Sequence, residues 1–172
     1  MKSPENEIYY SQSLISLYSA FRDEIFNPKS VLYPSCGFDG SPVKVFDKVT
    51  FVDLENGNEG CVIGLQKEWL NALSMDIRDY GPKEKHDLLI LLNPTIPSVW
   101  ATKHIKKGGF ILSNNYHNNA SQLYDASNEF ELFGALDFIE KDRRKGYNKA
   151  KVSRDLEGLF QEVKNISEFE QL

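Results

Sequence analysis

The chain has 172 residues, 41% of them hydrophobic and 26% charged, and a formal net charge of -5. That size and balance suit one globular domain and exclude a disordered chain. The acidic excess argues against broad binding to nucleic acid or anionic membranes, and two cysteines are too few for a thiolate zinc centre or a disulfide framework. The opening residues MKSPENEIYY lack the apolar stretch of a signal peptide, and no run is long enough to span a membrane. A soluble cytoplasmic protein is expected.

Steps of three and four between Leu14, Leu17, Tyr18, Phe21 and Ile25 predict a helix over 11–26, stopped by Asn27-Pro28. Residues 1–29 are thus an N-terminal helical segment, and 30–172 an α/β core within the same single domain. Ser30–Tyr33 and Lys48–Leu54 read as short strands, with only a short helix between them at SPVKVF. A helix is predicted over 62–70, followed by a short strand in ALSMDI that ends near Asp76. HDLLILLNP is the clearest strand, with Leu88–Leu92 unbroken and Asn93-Pro94 stopping it. SVWATKHI allows a helical turn or two. KKGG then punctuates, and Phe110–Asn115 is a fifth strand. A helix over 119–128, a sixth strand over 130–140 and an antiparallel return at KAKVS follow. RDLEGLFQEVKNI closes the chain with an amphipathic pattern at Leu156, Leu159, Phe160 and Val163. Short strands alternating with helical crossovers predict a doubly wound, mostly parallel twisted sheet of six or seven strands covered on both faces. Ligands of such sheets bind beyond the carboxyl ends of the strands, where strand order reverses.

Several polar residues fall at those ends. Gly37 and Gly40 in YPSCGFDG allow a tight turn whose backbone N–H groups suit an anion, or are turn residues and nothing more. The spacing matches neither the dinucleotide fingerprint nor a phosphate loop. Asp53 ends the second strand. Its carboxylate either accepts from both hydroxyls of a ribose or caps the next turn, and Glu55 shares either role. Asp76 receives an adenine amino group or caps its own turn, with Ile77 offering an apolar face to the ring. Arg78 and Asp79 read as surface charges.

In this order the motifs resemble those of the class I S-adenosylmethionine-dependent methyltransferases, over about residues 11–140. YPSCGFDG stands in place of the glycine-rich first motif, Asp53 in VTFVDLE and Asp76 in LSMDIRDY in place of the acidic residues after strands two and three, and Asn93-Pro94 in place of the fourth motif. KKGGFILSN resembles the turn and strand that follow. The resemblance implies a methyltransferase-like three-layer sandwich that binds S-adenosylmethionine through Ser35, Gly37, Asp39, Asp53, Asp76 and Ile77. It implies methyl transfer to an unidentified small-molecule or macromolecular acceptor, with Asn93 holding an amine acceptor through its carbonyl oxygen or simply turning the chain. The glycine motif diverges: Tyr33-Pro34 precede Ser35, and Asp39 stands where another glycine is common. Asp39 either replaces a missing carboxylate or intrudes on the methionine end of the cofactor. The alternative is a noncatalytic interaction module of the same shape.

The remaining candidates are plainer. His86, His104 and His117 form no metal pattern, and no metal site is expected. His86 falls at the amino end of a strand, away from the site, and His117 in an exposed loop. Cys36 reads as a small apolar filler rather than a nucleophile. The basic run from Lys141 to Lys151 reads as a solvated hairpin, and is the one place where nucleic acid would bind.

Overall fold

The computed structural model describes residues 7–54, 60–126, 128–142 and 147–153. Helix α1 (Gln12–Glu24) starts where Ser11 caps it, the Ser11 Oγ accepting the Leu14 N–H at 3.3 Å. Its predicted apolar face is the face that packs: Tyr18 and Phe21 are fully buried, with Leu14, Leu17 and Ile25 half-buried beside them. Five parallel strands follow, β1 (Val31–Pro34), β2 (Val49–Asp53), β3 (Ala72–Ser74), β4 (His86–Leu91) and β5 (Ile105–Ser113), in the sheet order β3-β2-β1-β4-β5. Strand order therefore reverses between β1 and β4, where Val31 is level with both Val49 and Leu88.

Alternate residues of the central strands serve opposite faces, as a pleated strand requires. Val31, Tyr33, Phe51, Leu88 and Ile90 pack with α1 and with Val62 and Leu65 of α2 (Cys61–Lys67). Leu32, Val52, Leu89 and Leu91 pack on the other face with Ala101 of α3 (Ser98–Thr102), and Leu123 of α4 (Asn119–Asp125) borders them. The result is the expected α/β sandwich of three layers. Among the described residues no helix is long and apolar enough to cross a membrane.

Two expectations change. Among the described residues the sheet holds five strands, where six or seven were expected. β6 (Ala135–Asp142) and β7 (Tyr147–Ser153) pair with each other as an antiparallel hairpin and, among the described residues, with no strand of the sheet. The hairpin lies against α1, whose Ser16 Oγ accepts the Ala150 N–H at 3.1 Å. The antiparallel return at KAKVS is as expected. Second, KKGG is not a break before β5 but lies within it. The register with β4 shifts between His86 and Leu88, and Gly108 takes a φ of +78°. A Cβ on Gly109 would stand 2.9 Å from the Asp87 carbonyl oxygen. The glycine pair thus admits a bulge at close backbone approach. Asp87 anchors the same end, its carboxylate accepting the N–H groups of Lys29 and Ser30 at 2.9 and 3.0 Å. The C-terminal amphipathic pattern lies outside the described residues.

Helix α2 ends in a Schellman arrangement. The Trp69 N–H donates to the Gln66 carbonyl and the Leu70 N–H to that of Leu65, at 3.0 and 3.1 Å. The left-handed position is therefore Trp69, at a φ of +61° and 95% exposed. A bulky residue is strained there, and glycine is the residue that relieves it. Trp69→Gly is expected to raise stability by about 0.5–1 kcal/mol, seen as a higher urea midpoint at unchanged slope.

At the amino end of the sheet His86 is buried, paired with the Tyr80 hydroxyl at 2.8 Å, while its Nδ1 meets no partner among the described residues. Burial pushes its pKa down to about 4 from the ordinary 6.5. The folded protein thus prefers the neutral ring. Its contribution is whole above pH 6.5 and is lost as pH falls toward 4. Stability should drop across that window by on the order of 1–2 kcal/mol from this group. His86→Gln, which keeps an acceptor for Tyr80, should flatten the pH slope of the melting temperature.

Candidate functional site

The carboxyl ends of the strands bring Ser35, Asp53, Asp76, Asn93 and Asn114 to one edge of the sheet. The turn after β1 begins with Ser35 at a φ of +51°. Its N–H still donates to the Val52 carbonyl at 2.9 Å, so the β1–β2 ladder runs one residue past the strand. Gly37 follows at a φ of +54°. Among the described residues a Cβ there would meet nothing within 4 Å, so glycine is needed for the backbone angle and those residues leave the space above it open. Gly40 has a different reason: a Cβ would stand 2.8 Å from the Tyr10 ring and 2.9 Å from Ile8. It lets the segment before α1 pack on the turn.

Asp53 joins the two strand ends. Its Oδ2 accepts the Gly37 N–H and its Oδ1 the Leu54 N–H, each at 2.8 Å. A carboxylate oxygen has two lone pairs, so each retains capacity for another donor. Asp53 is half-buried and lies beside the open space at Gly37. It therefore caps the turn and still presents an acceptor edge. Glu55 lies outside the described residues.

Asp39 differs from expectation. It is 1% exposed and points inward, its carboxylate accepting the Ser41 N–H at 2.8 Å and the Tyr33 hydroxyl at 3.1 Å. Burial pushes its pKa up, opposed by those hydrogen bonds. It neither supplies a carboxylate to the edge nor intrudes on it. The reason is the segment before α1: the Tyr9 N–H donates to the Phe38 carbonyl and the Tyr9 carbonyl accepts the Gly40 N–H, each at 3.0 Å, so that this segment covers the turn. Ile77 is corrected likewise. It is 4% exposed and packs among Leu32, Val52, Leu89 and Leu91, leaving no free apolar face.

Asp76 lies at the edge but is engaged. It accepts the Arg78 N–H at 2.8 Å and pairs with the Arg78 guanidinium at 2.6 and 3.0 Å. The guanidinium holds its carboxyl down at about 2. Arg78 in turn lies 4.4 Å over the Trp100 ring. Asn93, at a φ of +53°, forms a reciprocal pair with Asn114: its N–H donates to Asn114 Oδ1 at 3.1 Å, and Asn114 Nδ2 donates back to Asn93 Oδ1. Ser35 Oγ meets Thr95 Oγ1 at 3.1 Å and accepts the Thr95 N–H at 3.2 Å. Thr95 and Asn114 follow strands and are expected at this edge from the sequence; their partners, and Trp100, are what sequence reasoning missed. The signal available for Asn114 was its place directly after a strand, in LSNN.

The other candidates lie away from this edge or outside the described residues. His117 is exposed, edge-on to Tyr116. Cys36 is buried, forms no disulfide, and burial pushes its thiol up, which makes it inert. Among the described residues no three His, Cys, Asp or Glu side chains could together hold a metal. Arg143–Gly146 lie outside the described residues, as do the basic side chains of Lys141, Lys149 and Lys151.

No family model and no curated protein sequence matches the chain. Solved structures do. The sugar N-methyltransferase KedS8 from a Streptoalloteichus species superposes at a TM-score of 0.50 with 13% identity, over 76% of this chain and 56% of that one. The N-methyltransferase NodS from Bradyrhizobium japonicum gives 0.49 with 11% identity, over 82% and 92%. DesVI from Streptomyces venezuelae gives 0.45 with 14% identity, over 76% and 60%. The chain thus spans little more than half the length of KedS8. At these identities the likeness is one of fold. The chain has the α/β fold of the class I S-adenosylmethionine-dependent methyltransferases, with a divergent glycine motif.

Asp53→Ala removes the acceptor of two backbone N–H groups. The variant should remain folded and lose about 1–2 kcal/mol of stability, measured by urea denaturation.

Proposed function

We propose that the carboxyl edge of the sheet binds S-adenosylmethionine and that the protein transfers its methyl group to an unidentified acceptor. The observation that carries this is the open turn at Gly37 standing against the Asp53 carboxylate, beside the reversal of strand order. Asp53 retains lone pairs for the two hydroxyls of a ribose, and the Gly37 backbone leaves room for close approach. Ser35 lies on the same turn and would line it. Asp76 would take the adenine side by exchanging part of its Arg78 pair. Asp39 and Ile77, both buried, drop out of the binding set.

When bound, the cofactor supplies a methyl group already activated by its sulfonium. The protein has little covalent chemistry left to do beyond placing the acceptor in line. Asn93 is the candidate for that placement, its carbonyl oxygen accepting from the acceptor's N–H or O–H. Asn114 holds that oxygen and sets its direction. KedS8 is described as a sugar N-methyltransferase. That supports an amine acceptor here.

One observation favours the second reading, a noncatalytic module. The edge side chains satisfy one another: Asp53 with Gly37, Asp76 with Arg78, Asn93 with Asn114, Ser35 with Thr95. Isothermal titration with S-adenosylmethionine and S-adenosylhomocysteine separates the two. Binding of either is expected, and Asp53→Ala should weaken it by about 2–4 kcal/mol, roughly tenfold to a thousandfold. An absence of heat with both ligands at millimolar concentration would sink the cofactor reading. Binding without transfer of labelled methyl to any acceptor in a cell extract would favour the module.

A further inference from the structure

The outer edge of β5 borders a cavity of about 450 Å³, a size that suits a small organic ligand. Phe110 and Leu112 of β5 line it together with Phe21 of α1 and Leu123 of α4. Residues 129–136, which lead into β6, complete the lining. Phe110 is the centre of an aromatic group, with Phe21 at 5.7 Å and Phe133 at 5.4 Å, both edge-on. Ser35, Gly37, Asp53, Asp76, Asn93 and Asn114 are not among its lining residues, and it approaches the edge described above at Ser113, the last residue of β5.

Its charge is one-sided. Among the described lining residues the ionisable acids are Glu129 and Glu131, both exposed, and there is no lysine, arginine or histidine. An apolar floor beneath two carboxylates attracts an apolar body carrying a positive charge. It repels the same body carrying a negative one. Phenylalanine rings add attraction for a cation at their faces.

We propose that this groove binds an apolar organic cation, an alkyl or arylalkyl ammonium. Its hydrocarbon lies along Phe21, Phe110 and Leu112, and its ammonium faces Glu129 and Glu131. The site goes beyond the methyl-transfer reading and does not depend on it, since no cofactor residue lines it.

The test is titration of the full chain with 2-phenylethylammonium and with 3-phenylpropionate, which present the same ring on opposite charges. The ammonium should bind about tenfold tighter at low salt, and the ratio should shrink as ionic strength rises. The double variant Glu129→Gln, Glu131→Gln should bring the ratio near one. Leu132→Ser, at a 47% exposed lining position, should weaken both ligands alike. Equal affinities in the parent protein, preference for the carboxylate, or no binding of either ligand overturns the proposal. So does a large gain in ammonium affinity in Leu159→Asp, Phe160→Asp, which would make the chain's own C-terminal segment the occupant. Release of a dimer by the ammonium would assign the groove to a second copy, and overturns it too. S-adenosylmethionine titration of the same samples reads the edge site separately, so either idea can fail alone.

Discussion

The bond from the Gly37 N–H to the Asp53 carboxylate organises the carboxyl edge of the sheet. Parallel strands leave their carboxyl ends side by side, with backbone groups that the ladder no longer satisfies. Here Pro34 is level with Val52, so the turn after β1 arrives directly over the end of β2. A carboxylate at that point can hold the turn, and a left-handed glycine lets the N–H face it. Ser35, which continues the ladder by one bond, fixes where the turn begins. Asp39 fixes it from beneath, through Ser41 and Tyr33. The turn is therefore clamped from both sides, and its open surface is the one over Gly37.

The same edge is polar throughout, yet its groups are matched to each other. That has an energetic meaning. A ligand entering it exchanges existing hydrogen bonds for new ones, and the net gain per bond is modest, about 0.5–1.5 kcal/mol. Exposed pairs such as Asp76 with Arg78 cost little to open, because surface ion pairs contribute little to begin with. Asp53 is different. Its oxygens can keep their backbone donors and take further ones, so it gains a partner without losing the turn. Binding at this edge would thus lean on Asp53 more than on Asp76 or Asn93.

The aromatic group at β5 reflects a related constraint. The β5 side chains that face α1, Phe110 and Leu112, need cover on the flank where no further strand pairs with β5 among the described residues. Phe21, Phe26 and Phe133 supply it, with ring centres 5.3–5.7 Å from Phe110. The cavity of about 450 Å³ lies beside this aromatic group.

The elements themselves were legible in the sequence. Leu88–Leu91, stopped by Asn93-Pro94, reads as a strand covered on both faces, and the apolar steps from Leu14 to Ile25 read as one side of a helix. Those patterns record local geometry, a period of two or of nearly four, and local geometry needs no knowledge of the rest of the chain. The positions of Asp53, Asp76 and Asn93 at strand ends followed from the same patterns. Partners did not. Ser35 finds Thr95 across 60 residues, Asn93 finds Asn114 across 21, and Asp39 turns inward because a segment 30 residues before it covers the turn. Nothing in either short stretch distinguishes a carboxylate facing solvent from one facing a buried tyrosine. By itself the sequence determined which residues lie on strands and helices and which stand at their ends. The tertiary structure alone decided which of those end residues are free, which are paired, and that the last two strands leave the sheet, because each depends on contacts between segments that only the strand order brings together.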